Sequence, residues 1–178
     1  MLHDRELLDR LSTFSPVRFD GLTFRATRWS LDPLAGSFSG GRWVPRDVTQ
    51  VLYTSLERDG AIAEIAHHLS LLTPKPSKPV KVHEIRVGAG SVVRLLRADL
   101  SALGVNAKDY GSLNYERTEK IGAAVAFLEC DGLIAPSARW DCDNLTLFLE
   151  NHALDEKLEL VRSEEVDWRE WERQHAGG

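Results

Sequence analysis

The sequence predicts an α+β (mixed α/β) domain, in which strands and helices are interspersed around one core. Three observations predict it. Leu22-Thr23-Phe24-Arg25-Ala26-Thr27 alternates apolar and polar residues with the period of a half-buried strand. Ile62, Ile65, Leu69 and Leu72 recur at the spacing of one helix face. The two periods are mixed along the chain with no internal repeat, and 178 residues fit a single domain, residues 1–178. An apolar share of 43% and a charged share of 28% are those of an ordinary globular protein, so a packed core is expected.

The elements follow in order. Leu7, Leu8 and Leu11 give a short opening helix that Pro16 closes. After the strand at 22–27, residues 30–47 are rich in Ser, Gly, Pro and Asp and contain Gly40-Gly41, which makes a long irregular loop. Long loops in compact domains are commonly functional. Val51-Leu52-Tyr53-Thr54 is a second strand, and Ala61 to Leu72 a helix with Glu64 just beyond the edge of its apolar face. Residues 73–79 are a stiff, proline-punctuated connection. Val80–Val87 and Ser91–Leu95 read as two strands divided by a turn at Gly88-Ala89-Gly90. A helix from Arg117 to Leu128 leads to a buried strand, Gly132–Ser137, and another at Asn144–Leu149. Beyond Asn151 an acidic extension (151–178) holds an edge strand at Leu158–Val161 and a short helix from Val166 to Gln174, outside the motif-bearing core at about 20–150.

Several function classes are excluded or disfavoured. A net charge of −5 and a pI near 5.7 argue against nucleic acid as a partner. Two cysteines, Cys130 and Cys142, are too few for a disulfide framework and lack zinc-site spacing, so both read as reduced thiols and the cytoplasm as the setting. The first residues are charged, with no apolar core of about 7–15 residues after them, and no run approaches about 18 apolar residues, so neither a secretory signal nor a membrane span is expected. Phosphate-loop, zinc-helix and nucleophile-elbow motifs are missing. His67 and His68 diverge by about 100° on a helix and cannot share a metal, so no metal site is expected.

What remains is a set of polar residues at strand ends and in the glycine loop: Arg25, Arg42, Tyr53, Glu64, Ser137 and Asn144. Singly, each has an ordinary structural use as a surface charge, a satisfied core aromatic or a solvated helix residue. Their order carries more. Phe24-Arg25, Gly40-Gly41-Arg42-Trp43, Val51-Leu52-Tyr53-Thr54-Ser55, Ala61-Ile62-Ala63-Glu64 and Ile134-Ala135-Pro136-Ser137 with Asn144 resemble the motif series of the RES-domain family.

That resemblance implies an ADP-ribosyltransferase-like central mixed sheet with flanking helices. It also implies a toxin of a toxin–antitoxin pair, and a pocket that consumes NAD as substrate, with no resident cofactor. Arg25, Glu64 and Ser137 would then be catalytic, and Arg42, Tyr53 and Asn144 substrate-binding; Ser39 and Ser55 compete with Ser137 for the serine role. Cleavage of the nicotinamide–ribose bond builds positive charge on the ribose, which a carboxylate stabilises, while arginines hold a pyrophosphate. The acceptor stays open between water (a glycohydrolase), phosphate as co-substrate (a phosphorylase) and a protein side chain (an ADP-ribosyltransferase). The implied partner is an Xre- or MbcA-type antitoxin. A non-catalytic NAD- or partner-binding module is the competing expectation.

Overall fold

The computed structural model describes residues 3–176. It has the α+β architecture that the sequence predicts, with six strands and five helices: α1 (Arg5–Leu11), β1 (Val17–Thr27), β2 (Val51–Ser55), α2 (Arg58–Ser70), β3 (Val80–Arg94), α3 (Arg97–Ala102), α4 (Glu116–Phe127), β4 (Gly132–Pro136), β5 (Asp143–Phe148), β6 (Leu158–Val166) and α5 (Trp168–His175). The sheet order is β1-β2-β5-β4-β3-β6, and β1 also pairs with β3, so the sheet curls back on itself. Closure is uneven. β1 and β3 pair from Val17↔Val92 to Thr27↔Lys81, whereas β1 and β2 meet at Phe24↔Ser55 alone, where β2 ends. Only β3 and β4 are parallel; every other pair is antiparallel.

One face of the curled sheet carries Leu52, Ile85, Val87, Val92, Ile134, Leu145 and Leu147, which pack on one another. On the other side Leu7 and Leu11 of α1, Ile121 and Val125 of α4, and Leu100 of α3 form a second cluster with Leu133, Ala135 and Phe148. Asp4 starts α1 by accepting from the Glu6 backbone N–H at 3.0 Å, which satisfies an otherwise orphaned donor. Among the described residues no helix is long and apolar enough to cross a membrane.

Three sequence expectations need correction. No turn divides β3: Gly88 and Ala89 are paired with Asp20 and Phe19 of β1, and the Gly88 N–H donates to the Lys157 carbonyl at 2.9 Å. The glycine signal is local, and the partner strand that keeps the backbone extended lies some 70 residues away in sequence. α3 is an addition, six residues long and started by Asp99 accepting from the Leu96 N–H at 2.7 Å. Leu72, placed on the apolar face of the second helix, lies beyond its end and is exposed, while Ala63 and Ala66 share the buried face with Ile62 and Leu69.

The acidic extension has a structural task. β6 runs the length of β3's first half, from Val80↔Val166 to Val87↔Leu158. Trp168, 1% exposed, then packs with Ala66 and Leu69 of α2 and with Val80. The Trp171 indole N–H donates to Asp59 at 2.9 Å and Arg58 reaches Glu164 at 2.6 Å, so α2 is clamped from the C-terminal side.

The loop of residues 30–47 docks through Trp43, 3% exposed, onto α4 at Gly122. A Cβ at Gly122 would overlap the Trp43 carbonyl oxygen. Gly122→Ala is therefore expected to destabilise the fold by about 1–3 kcal/mol or more, the cost of overpacking against backbone; denaturant unfolding checks this, and an unchanged midpoint would show that the loop does not rest on α4.

Candidate active site

Side chains alternate along a strand, so Tyr53 and Ser55 of β2 share a face, as do Asn144 and Thr146 of β5. The register places Tyr53 opposite Thr146 and Ser55 opposite Asn144, which puts all four on one patch of sheet. α2 crosses this patch and brings Glu64 to it, β1 brings Phe24 and Arg25, and the docked loop brings Arg42 and Trp43. The result is a cleft of about 310 Å³.

Glu64 is held through one of its two oxygens. Its Oε1 accepts from the Ser137 hydroxyl at 2.8 Å and from the Asn144 amide at 2.9 Å. Among the described residues no donor falls on Oε2. Ser137, 2% exposed, stands behind the carboxylate and does not line the cleft. Its hydroxyl also accepts from the backbone N–H groups of Arg139 at 3.1 Å and Trp140 at 3.3 Å, which fixes its orientation. Ser39 and Ser55 make no such contact: Ser39 pairs with Ser37, and Ser55 with Cys142.

The two arginines are held differently. Arg25 donates to the carbonyls of Pro33 and Ala35, both at 2.9 Å, and burial lowers its pKa from the ordinary value, although a guanidinium keeps its proton in any protein setting. Arg42 donates to the Tyr110 carbonyl at 2.5 Å and lies over the rings of Tyr110 and Tyr115, 4.9 and 4.7 Å from their centroids. Stacked cations of this sort are held in plane with donor edges left for a ligand. The Tyr53 hydroxyl accepts from the Trp43 N–H at 3.3 Å, and burial pushes its pKa up to about 12, so it stays protonated. Gly41 permits the approach, since a Cβ there would sit 2.8 Å from that hydroxyl.

Of the six residues singled out in the sequence, Arg25, Arg42, Tyr53, Glu64 and Asn144 line this one cleft, and Ser137 supports Glu64 from outside it. Sequence reasoning passed over Thr146, Tyr115 and His68, which also line it. His68 lies one helical turn beyond Glu64 and shares its face, a spacing that could have pointed to it. Tyr115 and Tyr110 sit in an aperiodic polar stretch that offers no signal. Cys130 and Cys142 are free thiols.

The chain belongs to the RES-domain family: the family model matches residues 16–169, from just before β1 to the start of α5. In fold it is similar to a chain in the crystal structure of the M. tuberculosis MbcT-MbcA toxin-antitoxin complex, with a TM-score of 0.83 and 20% identity over 97% of this chain and 98% of that one. No curated protein sequence matches it.

Ser137→Ala would strip Glu64 of one donor and leave two backbone N–H groups without their acceptor. The expected loss is about 1–3 kcal/mol of stability, read by denaturant unfolding; Ser137→Thr, which keeps the hydroxyl, is expected to recover part of it. Equal stability of the alanine variant and the parent would mean that Glu64 is held by other means.

Proposed function

We propose that this protein is the toxin half of a toxin–antitoxin pair and that it cleaves NAD at the nicotinamide–ribose bond, passing the ADP-ribosyl group to water or inorganic phosphate. The observation that carries the reading is the Glu64 carboxylate, with one oxygen pinned by Ser137 and Asn144 and the other left to the cleft, beside two arginines. NAD asks for this division of charge. Its pyrophosphate is anionic and suits Arg25 and Arg42, while its ribose becomes cationic as the bond breaks.

In the reaction the C1′–N bond breaks and its electron pair leaves with the pyridinium nitrogen, which becomes neutral nicotinamide. The ribosyl cation is stabilised by Glu64, which needs no reorganisation because its position is fixed beforehand. A water or phosphate oxygen then bonds to C1′, and the proton released passes to solvent. Tyr53, its hydroxyl engaged by Trp43, offers its ring as a wall for the substrate. Ser137 acts through Glu64 and does not touch the substrate.

The family membership and the agreement in fold with a toxin-antitoxin complex support the biological half of the proposal. By analogy, an antitoxin of the Xre or MbcA type would cover the cleft and hold the enzyme inactive.

The test is incubation of purified protein with NAD, with and without phosphate, followed by chromatography for nicotinamide and ADP-ribose products. Nicotinamide release is expected, with phosphate dependence separating phosphorolysis from hydrolysis. Glu64→Gln keeps an oxygen to accept from Ser137 and Asn144 but loses the charge, so it should fold normally and cut the rate by about 10²–10³. A fully active variant would remove Glu64 from the chemistry, and no release in either tube would transfer the assignment to a protein acceptor or to binding without turnover.

A further inference from the structure

The floor of the cleft holds two polar atoms that the protein does not satisfy. Thr146 is 1% exposed, its side chain lines the cleft, and its Oγ1 has no hydrogen-bond partner among the described residues. Asn144, two residues earlier on the same face of β5, has a buried Oδ1 in the same condition. Buried polar side chains are nearly always paired, so two unpaired neighbours at the base of a cavity mark the place where a ligand's polar group belongs.

The chemistry of that group can be read from what the two atoms offer. Asn144 directs one amide N–H to Glu64, and its unpaired atom is Oδ1, an acceptor. The Thr146 hydroxyl can donate. A matching ligand group therefore presents one N–H or O–H to Asn144 and one acceptor to Thr146. Above the floor stand the Tyr53 ring, directly across from Thr146, and the apolar side chains of Phe24, Trp43 and Ile65, walls suited to a flat aromatic ring. A planar ring bearing a primary carboxamide satisfies both requirements. A ring bearing a carboxylate does not: it has no donor for the unpaired Asn144 Oδ1, and it brings a second negative charge near Glu64.

We infer that Asn144 and Thr146 form a carboxamide-recognition floor, which selects the nicotinamide dinucleotide over its nicotinic acid counterpart. The inference rests on the NAD reading above and assigns Thr146 as the specificity-determining residue. Replacement of Thr146 by valine removes the unpaired hydroxyl while keeping the shape, so the empty protein should be as stable as before or more so, and only ligand selection should suffer.

The experiment uses Glu64→Gln protein, to suppress turnover, and measures by calorimetry the binding of NAD and of nicotinic acid adenine dinucleotide. NAD is expected to bind about tenfold tighter or more. Adding Thr146→Val should shrink that ratio several-fold with no fall in melting temperature, and Thr146→Ser, which keeps the hydroxyl, should preserve it. Equal affinity for the two dinucleotides, or a ratio untouched by Thr146→Val, would overturn the floor while leaving the NAD reading in place. An equal loss for both in Thr146→Val would also overturn it, pointing to ribose hydroxyls as the group held. If neither dinucleotide binds a folded protein, the NAD reading falls and this inference with it.

Discussion

Glu64 sits on a helix, and the two groups that hold it, Ser137 and Asn144, flank the connection between β4 and β5. For those three side chains to meet, α2 must lie at a fixed height and angle over the sheet, and much of the molecule serves that requirement. β6 and α5 provide it from one side: Trp168 fills the space beneath Ala66 and Leu69, and Trp171 and Glu164 tie down Asp59 and Arg58 at the start of the helix. The C-terminal segment, which looks in sequence like an appendage, is a brace for the helix that carries the central carboxylate.

The cleft itself is a consequence of incomplete closure. A sheet whose ends paired along their whole length would leave no room on the patch of Tyr53, Ser55, Asn144 and Thr146. Here β1 touches β2 only at Phe24↔Ser55, and the glycine loop, not a strand, lines the open space with Gly40, Gly41, Arg42 and Trp43. That loop is itself fastened, with Trp43 buried against α4 and its N–H on Tyr53. Arg42 is consequently delivered between two tyrosines with its cation in a set orientation, as preorganised binding of an anion requires.

Elements with their own period were legible in the sequence, since alternation at 22–27 and helical spacing at 62–69 reflect burial directly. β3 was not, because glycines at 88 and 90 carry the local mark of a turn while the pairing that keeps the strand straight comes from β1. α3 is too short and too polar to show a period. At the site, the arginines, Tyr53, Glu64 and Asn144 could be picked out because they are polar residues at strand ends and in the glycine loop whose order resembles a known series. The part played by Ser137 could not, for it depends on where a neighbouring turn directs two N–H groups. Thr146 lay hidden for a different reason: between Leu145 and Leu147 a threonine reads as an ordinary strand former, and only the three-dimensional count of donors and acceptors shows it unpaired.

In the proposed reaction the free oxygen of Glu64 faces the ribose of a bound dinucleotide. A crystal structure of the Glu64→Gln protein with NAD tests this most directly. The nicotinamide ribose is expected within hydrogen-bond distance of residue 64 and the pyrophosphate beside Arg25 and Arg42. A dinucleotide bound elsewhere, or bound in this cleft with its ribose turned away from residue 64, would contradict it.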